Sequence, residues 1–201
     1  MNQLTKIVIP VFAVNAILSL AGFALFMERF GPPQVLLHPV MGAVWTLLLF
    51  AQMVLAARQH PAHKVVGRVA LAALFVSVYA ALRGVAMHAS DPESPIPVTV
   101  LFLFVVTGVA FITYAAMGVA FAIKRQFEAH STAMLLAGAV SMAAGVSRAA
   151  GAFDAIIGIP FQLTYALSAF SMAAVLWVWR PCQRYLVGSY AVMMGCVIFL
   201  R

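Results

Sequence analysis

An all-α integral membrane protein, a bundle of seven transmembrane helices with at least six full crossings, is the fold class this chain predicts. Three observations predict it. Of 201 residues, 65% are apolar and 8% charged, whereas soluble domains carry roughly 25% charge. Apolar stretches of about 17 to 25 residues, each long enough to cross a hydrocarbon core of about 30 Å as a helix, recur along the whole length. The longest polar connection, Ser90 to Pro97, holds three prolines in eight residues and is too short for a soluble module. The chain reads as one membrane domain over 1–201.

Apolar runs between charges and Pro or Gly give the helices in order. The first, about 7–27, follows Lys6; its apolar core is too long for a secretory signal and no small-x-small cleavage site follows, so it is a permanent helix. The second spans about 35–57 and ends before Arg58, and the third spans about 65–87 after Pro61 and Lys64. The fourth, about 98–123, runs from the proline-rich connection to Lys124 and Arg125, and the fifth covers about 131–150. The sixth, about 161–179, lies between Pro160 and Arg180, and the seventh, about 185–200, is short for a full crossing. No internal repeat stands out.

The net charge of +7 arises from twelve Lys and Arg residues spread by loop rather than gathered in a patch, which argues against nucleic acid. With the amino terminus inside, eight of them fall on inner segments and four on outer ones. That excess predicts a multi-pass membrane protein with its amino terminus cytoplasmic and its carboxyl terminus outside. Cys182 and Cys196 form no disulfide framework, and the C-x-x-C-H signature of covalently attached haem is absent.

Ionisable groups at membrane depth are costly, so their positions carry functional information. His38 and His88 fall near the outer face, and His60, His63 and His130 near the inner one. His63 and His88 are 25 residues apart on the third helix, which puts them within about 20° of one direction. Between them runs a small-residue stripe of Gly67, Ala70, Leu74, Ser77, Ala81 and Gly84, suited to another helix or to a flat cofactor. On the fifth helix His130 and Arg148 share a face with Met134, Ala137, Ser141 and Gly145; on the second, His38, Met41, Trp45, Leu49 and Gln52 form a stripe. Helices two, three and five should turn these stripes to a common interior.

Neutral imidazole is an axial ligand for haem iron and a ligand for other metals. His63 with His130 predicts an inner site and His38 with His88 an outer one. Arg83 and Arg148 suit haem propionates or another carboxylate, and Met134 is an alternative axial ligand. Each has a plain reading too: histidines and arginines at span ends are commonly interfacial, and Arg83 and Arg68 can snorkel. Arg148 can pair with Asp154 or a carbonyl. Trp177 and Trp179 beside Arg180 look like an interfacial belt.

The motifs Leu37-His38-Pro39, His63-Lys64-Val65-Val66-Gly67-Arg68, and Ala129-His130 with Met134, together with Arg148, stand in the segment from His38 to Arg148. In them the segment resembles a bacterial family of multi-spanning membrane proteins catalogued as a domain of unknown function, and that resemblance implies the bacterial cytoplasmic (inner) membrane. More distantly, the His38-Pro39-Val40-Met41 opening and the histidines of helix three resemble transmembrane b-type cytochromes that carry electrons from ascorbate. That resemblance implies two haems held by histidines on four consecutive helices, but the fourth span here has no histidine, its best polar side chain being Tyr114.

The leading expectation is a membrane redox protein: one or two b-type haems passing electrons between a quinone or other membrane donor and an acceptor across the membrane. An alternative is a metalloenzyme with an inner-face zinc or iron site of His60, His63 and His130, with Glu128. A third is a small-anion carrier using Arg83 and Arg148. The lipid bilayer and a quinone are the expected partners, with a homo-oligomer left open. Retinal chemistry is set aside, since no Lys lies in the sixth or seventh span.

Overall fold

The computed structural model describes residues 4–29, 33–89 and 98–199, with side chains placed over 6–25, 37–86 and 105–198. A π-helical turn, Leu4–Val8, leads into α1 (Ile9–Arg29), followed by α2 (Pro33–Ala57), α3 (Ala62–Ala89), α4 (Val98–Ile123) and α5 (Phe127–Ile157). Then come α6 (Phe161–Trp179), a 3-10 turn at Pro181–Gln183 and α7 (Arg184–Phe199). No strand occurs among the described residues. The protein is an all-α membrane helical bundle: α1 to α6 are long and apolar enough to cross a bilayer, and α7 has 16 residues. The proline-rich connection 90–97 lies outside the described residues.

Local chemistry sets the helix ends. Pro61 immediately precedes α3, where its missing N–H costs no helical bond. The fifth helix is longer than its apolar run suggests, with 31 residues continuing past Gly151. A glycine within a helix costs only about 1 kcal/mol, so termination waits for Gly158, which caps the helix at φ 67° with its N–H on the Asp154 carbonyl. The α2–α3 and α4–α5 corners end their helices without glycine. Gln59 and Arg125 adopt φ 53° and 59°, while His60 N–H bonds Leu55 O at 2.9 Å and Gln126 N–H bonds Phe121 O at 2.8 Å. Both corners are Schellman caps built on a non-glycine residue.

The core is organised on α5, which packs against α1, α2, α4, α6 and α7. In lipid, small residues let backbones approach where no hydrophobic force separates helix from solvent. A Cβ on Gly22 would strike the Gly145 carbonyl, one on Gly145 would strike the Ser19 main chain, and one on Gly138 would meet Phe12 and Leu49. Phe12 before Ser19 on α1 thus faces Gly138 before Gly145 on α5, so the two helices run parallel. A second fastening lies deep in the α1–α6 contact, where buried Asn15 accepts from the Ser168 hydroxyl and donates to Val11 O at 2.9 Å and to Ser171 Oγ at 3.4 Å. Large apolar side chains such as Phe75, Leu82 and Leu167 stay exposed on the outer surface, the face a helical bundle turns to lipid.

Candidate functional site

The bundle has a basic end, where the α2–α3, α4–α5 and α6–α7 corners gather Arg58, Lys64, Lys124, Arg125, Arg180 and Arg184. Two groups of functional side chains lie at different heights above it.

At the basic end His63 and His130 open α3 and α5 close enough to interact electrostatically. Each follows the same six-residue pattern: Arg58-Gln59-His60-Pro61-Ala62-His63 and Arg125-Gln126-Phe127-Glu128-Ala129-His130. This Arg-Gln-x-x-Ala-His repeat corrects the expectation of none. It is short and sits across the caps, where apolar periodicity carries no signal. His130 Nδ1 lies 2.8 Å from Gly118 O; a carbonyl only accepts, so Nδ1 carries the proton and Nε2 keeps a free lone pair in the neutral ring. The Gln52 side chain donates to His63 O at 2.8 Å, fixing the first turn of α3 on α2, while His63 Nδ1 is buried without a hydrogen-bond partner.

Two residues expected to join this pair do not. His60 is exposed and accepts from Ala62 N–H at 3.2 Å, capping its own helix. Glu128 is bonded to Arg180 at 2.8 Å, and that guanidinium stacks on Trp179 at 3.7 Å, a contact within the basic and aromatic belt. Burial lowers the Arg180 pKa from its ordinary value and the Glu128 carboxylate pushes it back up. Among the described residues no three His, Cys, Asp or Glu side chains converge on one point. Met134 packs its thioether against Gly118 of α4.

About three to five turns further from the basic end lies a cavity of about 290 Å³ walled by α1 to α5, at the lower limit of the roughly 300–1,000 Å³ of small-molecule sites. Its polar lining comprises His38 and Trp45 from α2, Ser77 from α3, Thr107 from α4 and Ser141 from α5; the rest is apolar or glycine. Both ring nitrogens of His38 and the indole Nε1 of Trp45 are buried with no hydrogen-bond partner. The Ser77 main chain lies beside the His38 ring without closing a bond of ordinary geometry. Trp45 is held edge-on by Phe111, ring centroids 5.3 Å apart at 86°. The common interior expected of the stripes on helices two, three and five is realised here.

The partners expected of His38 are rearranged. Arg148 comes near enough to interact with it electrostatically, donates to Ala144 O at 2.9 Å and lies 5.8 Å from the Phe23 ring. Arg83 is exposed and does not line this cavity. The His88 side chain is outside the described residues. Its backbone lies eleven residues past Ser77 on α3, about 16 Å further along the axis, so the equal depth expected for His38 and His88 is not what the register gives. That expectation assumed each helix starts and stops at the same height, whereas α3, with 28 residues, overshoots.

Sequence reasoning missed Asn15 and its serine partners. A lone amide in mid-span was the available signal, because a buried polar side chain in hydrocarbon needs a partner. It also missed a groove of about 580 Å³ between α4 and α7, crossed by a 2.8 Å hydrogen bond from Tyr114 to Ser189. Comparison with protein-family models, with curated proteins and with solved structures finds no match to the chain.

Proposed function

We propose that this protein is a quinone-binding membrane redox protein whose head-group site is the His38 cavity. The observation that carries the reading is the pair of unpartnered buried donors, the His38 imidazole and the Trp45 indole, set in an otherwise apolar pocket. A buried polar group left without a partner costs about 1–3 kcal/mol, and a ligand carbonyl removes that cost. A quinone supplies two carbonyl acceptors on a flat apolar ring, and the volume suits one ring with its substituents. Arg148 behind His38 adds positive potential, which favours the electron-rich reduced head group. Labelling the full-length protein in native membranes with a photoreactive azidoquinone tests the reading. Adducts on peptides spanning 77–85 and 105–112 support it, and adducts confined to the α4–α7 groove around Tyr185 and Ser189 contradict it.

A second reading is favoured by one observation. His130 has its Nδ1 committed to Gly118 O, and His63 beside it has an unpartnered Nδ1; a ring oriented by a carbonyl is the usual state of a metal-ligating histidine. The pair suits the iron of haem b, or a bare zinc or iron ion. Elemental analysis and a visible spectrum before and after dithionite decide it. One metal or haem per chain, lost on His130→Ala, supports this reading; a metal-free, colourless protein from haem-replete cells contradicts it.

A further inference from the structure

Neighbouring helices in this bundle pack on one another at every step but one. Among the described residues α3 packs on α2 and α4 packs on α5, while α3 and α4 share no packed interface. The His38 cavity occupies the space between them. Its wall residues there are also lipid-facing: Leu82 is 66% exposed, Val105 55%, Val109 59% and Ile112 48%. A residue that both lines a cavity and faces outward marks its mouth. Gly108, on the same stretch of α4, has nothing within 4 Å of where a Cβ would stand.

We propose that the gap between α3 and α4 is a lateral portal, through which a lipid-tailed quinone passes its head group from the bilayer to His38 while its isoprenoid tail stays in the hydrocarbon. The proposal rests on the quinone reading of the cavity and adds the ligand class: a long-tailed, membrane-dissolved quinone, not a water-soluble ring. The described residues at the mouth, Leu82, Val105, Val109 and Ile112, are all apolar, so a tail passes them without stranding a polar group, whereas a charged ligand would lose its hydration there. The donors lie at the inner end of the passage and the aliphatic residues at its mouth, the order in which head and tail would arrive.

The test uses the full chain in lipid nanodiscs and the substitution Gly108→Phe, which fills open space without touching backbone. Equilibrium binding is measured for a long-tailed quinone and for an analogue with a single methyl in place of the tail. The expected result is that the long-tailed ligand loses about tenfold or more beyond whatever the tail-less analogue loses to the added ring in the cavity wall, a difference of about 1.4 kcal/mol or more, with the analogue still bound and entering more slowly. Retained analogue binding also shows that the variant is folded. Equal losses for both ligands, or no loss for either, overturn the portal. If the unsubstituted protein binds neither quinone, the failure belongs to the quinone reading itself.

Discussion

His38 and Trp45 stand seven residues, two turns, apart on one face of α2, and both end in buried nitrogens that no protein group satisfies on the wall of the same cavity. Two such groups on one stripe are costly in lipid, where water is not at hand to satisfy them. Their cost is offset if a ligand completes them, and the first prediction follows from that.

Replacing His38 by Leu should leave the ligand-free protein at least as thermally stable in detergent, since an unpaired buried polar group is exchanged for an apolar one of similar size. Quinone affinity should fall by about tenfold or more, the loss of one hydrogen bond of about 1.4 kcal/mol. Thermal unfolding and calorimetric titration of the same preparation check both. A strongly destabilised His38→Leu would mean that the imidazole is satisfied within the bundle.

The α1–α5 contact should tolerate no side chain at its crossing. Gly145→Ala places a methyl against the Ser19 main chain, and backbone cannot swing aside as a side chain can. A cost of about 1–3 kcal/mol is expected, against little change for Gly195→Ala, whose site is open. Denaturation in mixed micelles compares the two.

Asn15→Leu removes the amide that joins α1 to Ser168 and Ser171. Interhelical hydrogen bonds in membranes average about 0.6 kcal/mol with a maximum near 1.7, so a loss within that range is expected, with Ser171→Ala costing less. A null result for Asn15→Leu would show that packing alone holds the two helices together.

Gln59→Gly and Arg125→Gly should each stabilise the protein by about 0.5–1 kcal/mol, because both residues sit in the left-handed region, where glycine carries no Cβ penalty. Thermal unfolding reads the effect; destabilisation would mean that the long side chains do more at these corners than their caps require.

The helical bundle and the inward direction of the stripes on helices two, three and five were legible because apolar run length and the 3.6-residue period are properties of single segments. Heights across helices were not. His38 lies beside Ser77 and Arg148, a placement that depends on corner geometry and helix overshoot, which no single segment encodes. Likewise Glu128 looked like a companion of His130, but its partner, Arg180, is 52 residues away and becomes adjacent only when the α6–α7 corner folds against α5. The cavity depends on two helices failing to pack, and sequence periodicity does not register a missing contact.

The most direct test of the central claim uses the intrinsic fluorescence of Trp45. The chain has three tryptophans, and replacing Trp177 and Trp179 by Phe leaves the one on the cavity wall as the sole reporter. Titration of this variant in nanodiscs with a long-tailed quinone should give saturable quenching at one ligand per chain, with the midpoint moved about tenfold or more to higher ligand concentration when His38→Leu is added. Quenching that rises without saturation, and equally with and without His38, would contradict the account.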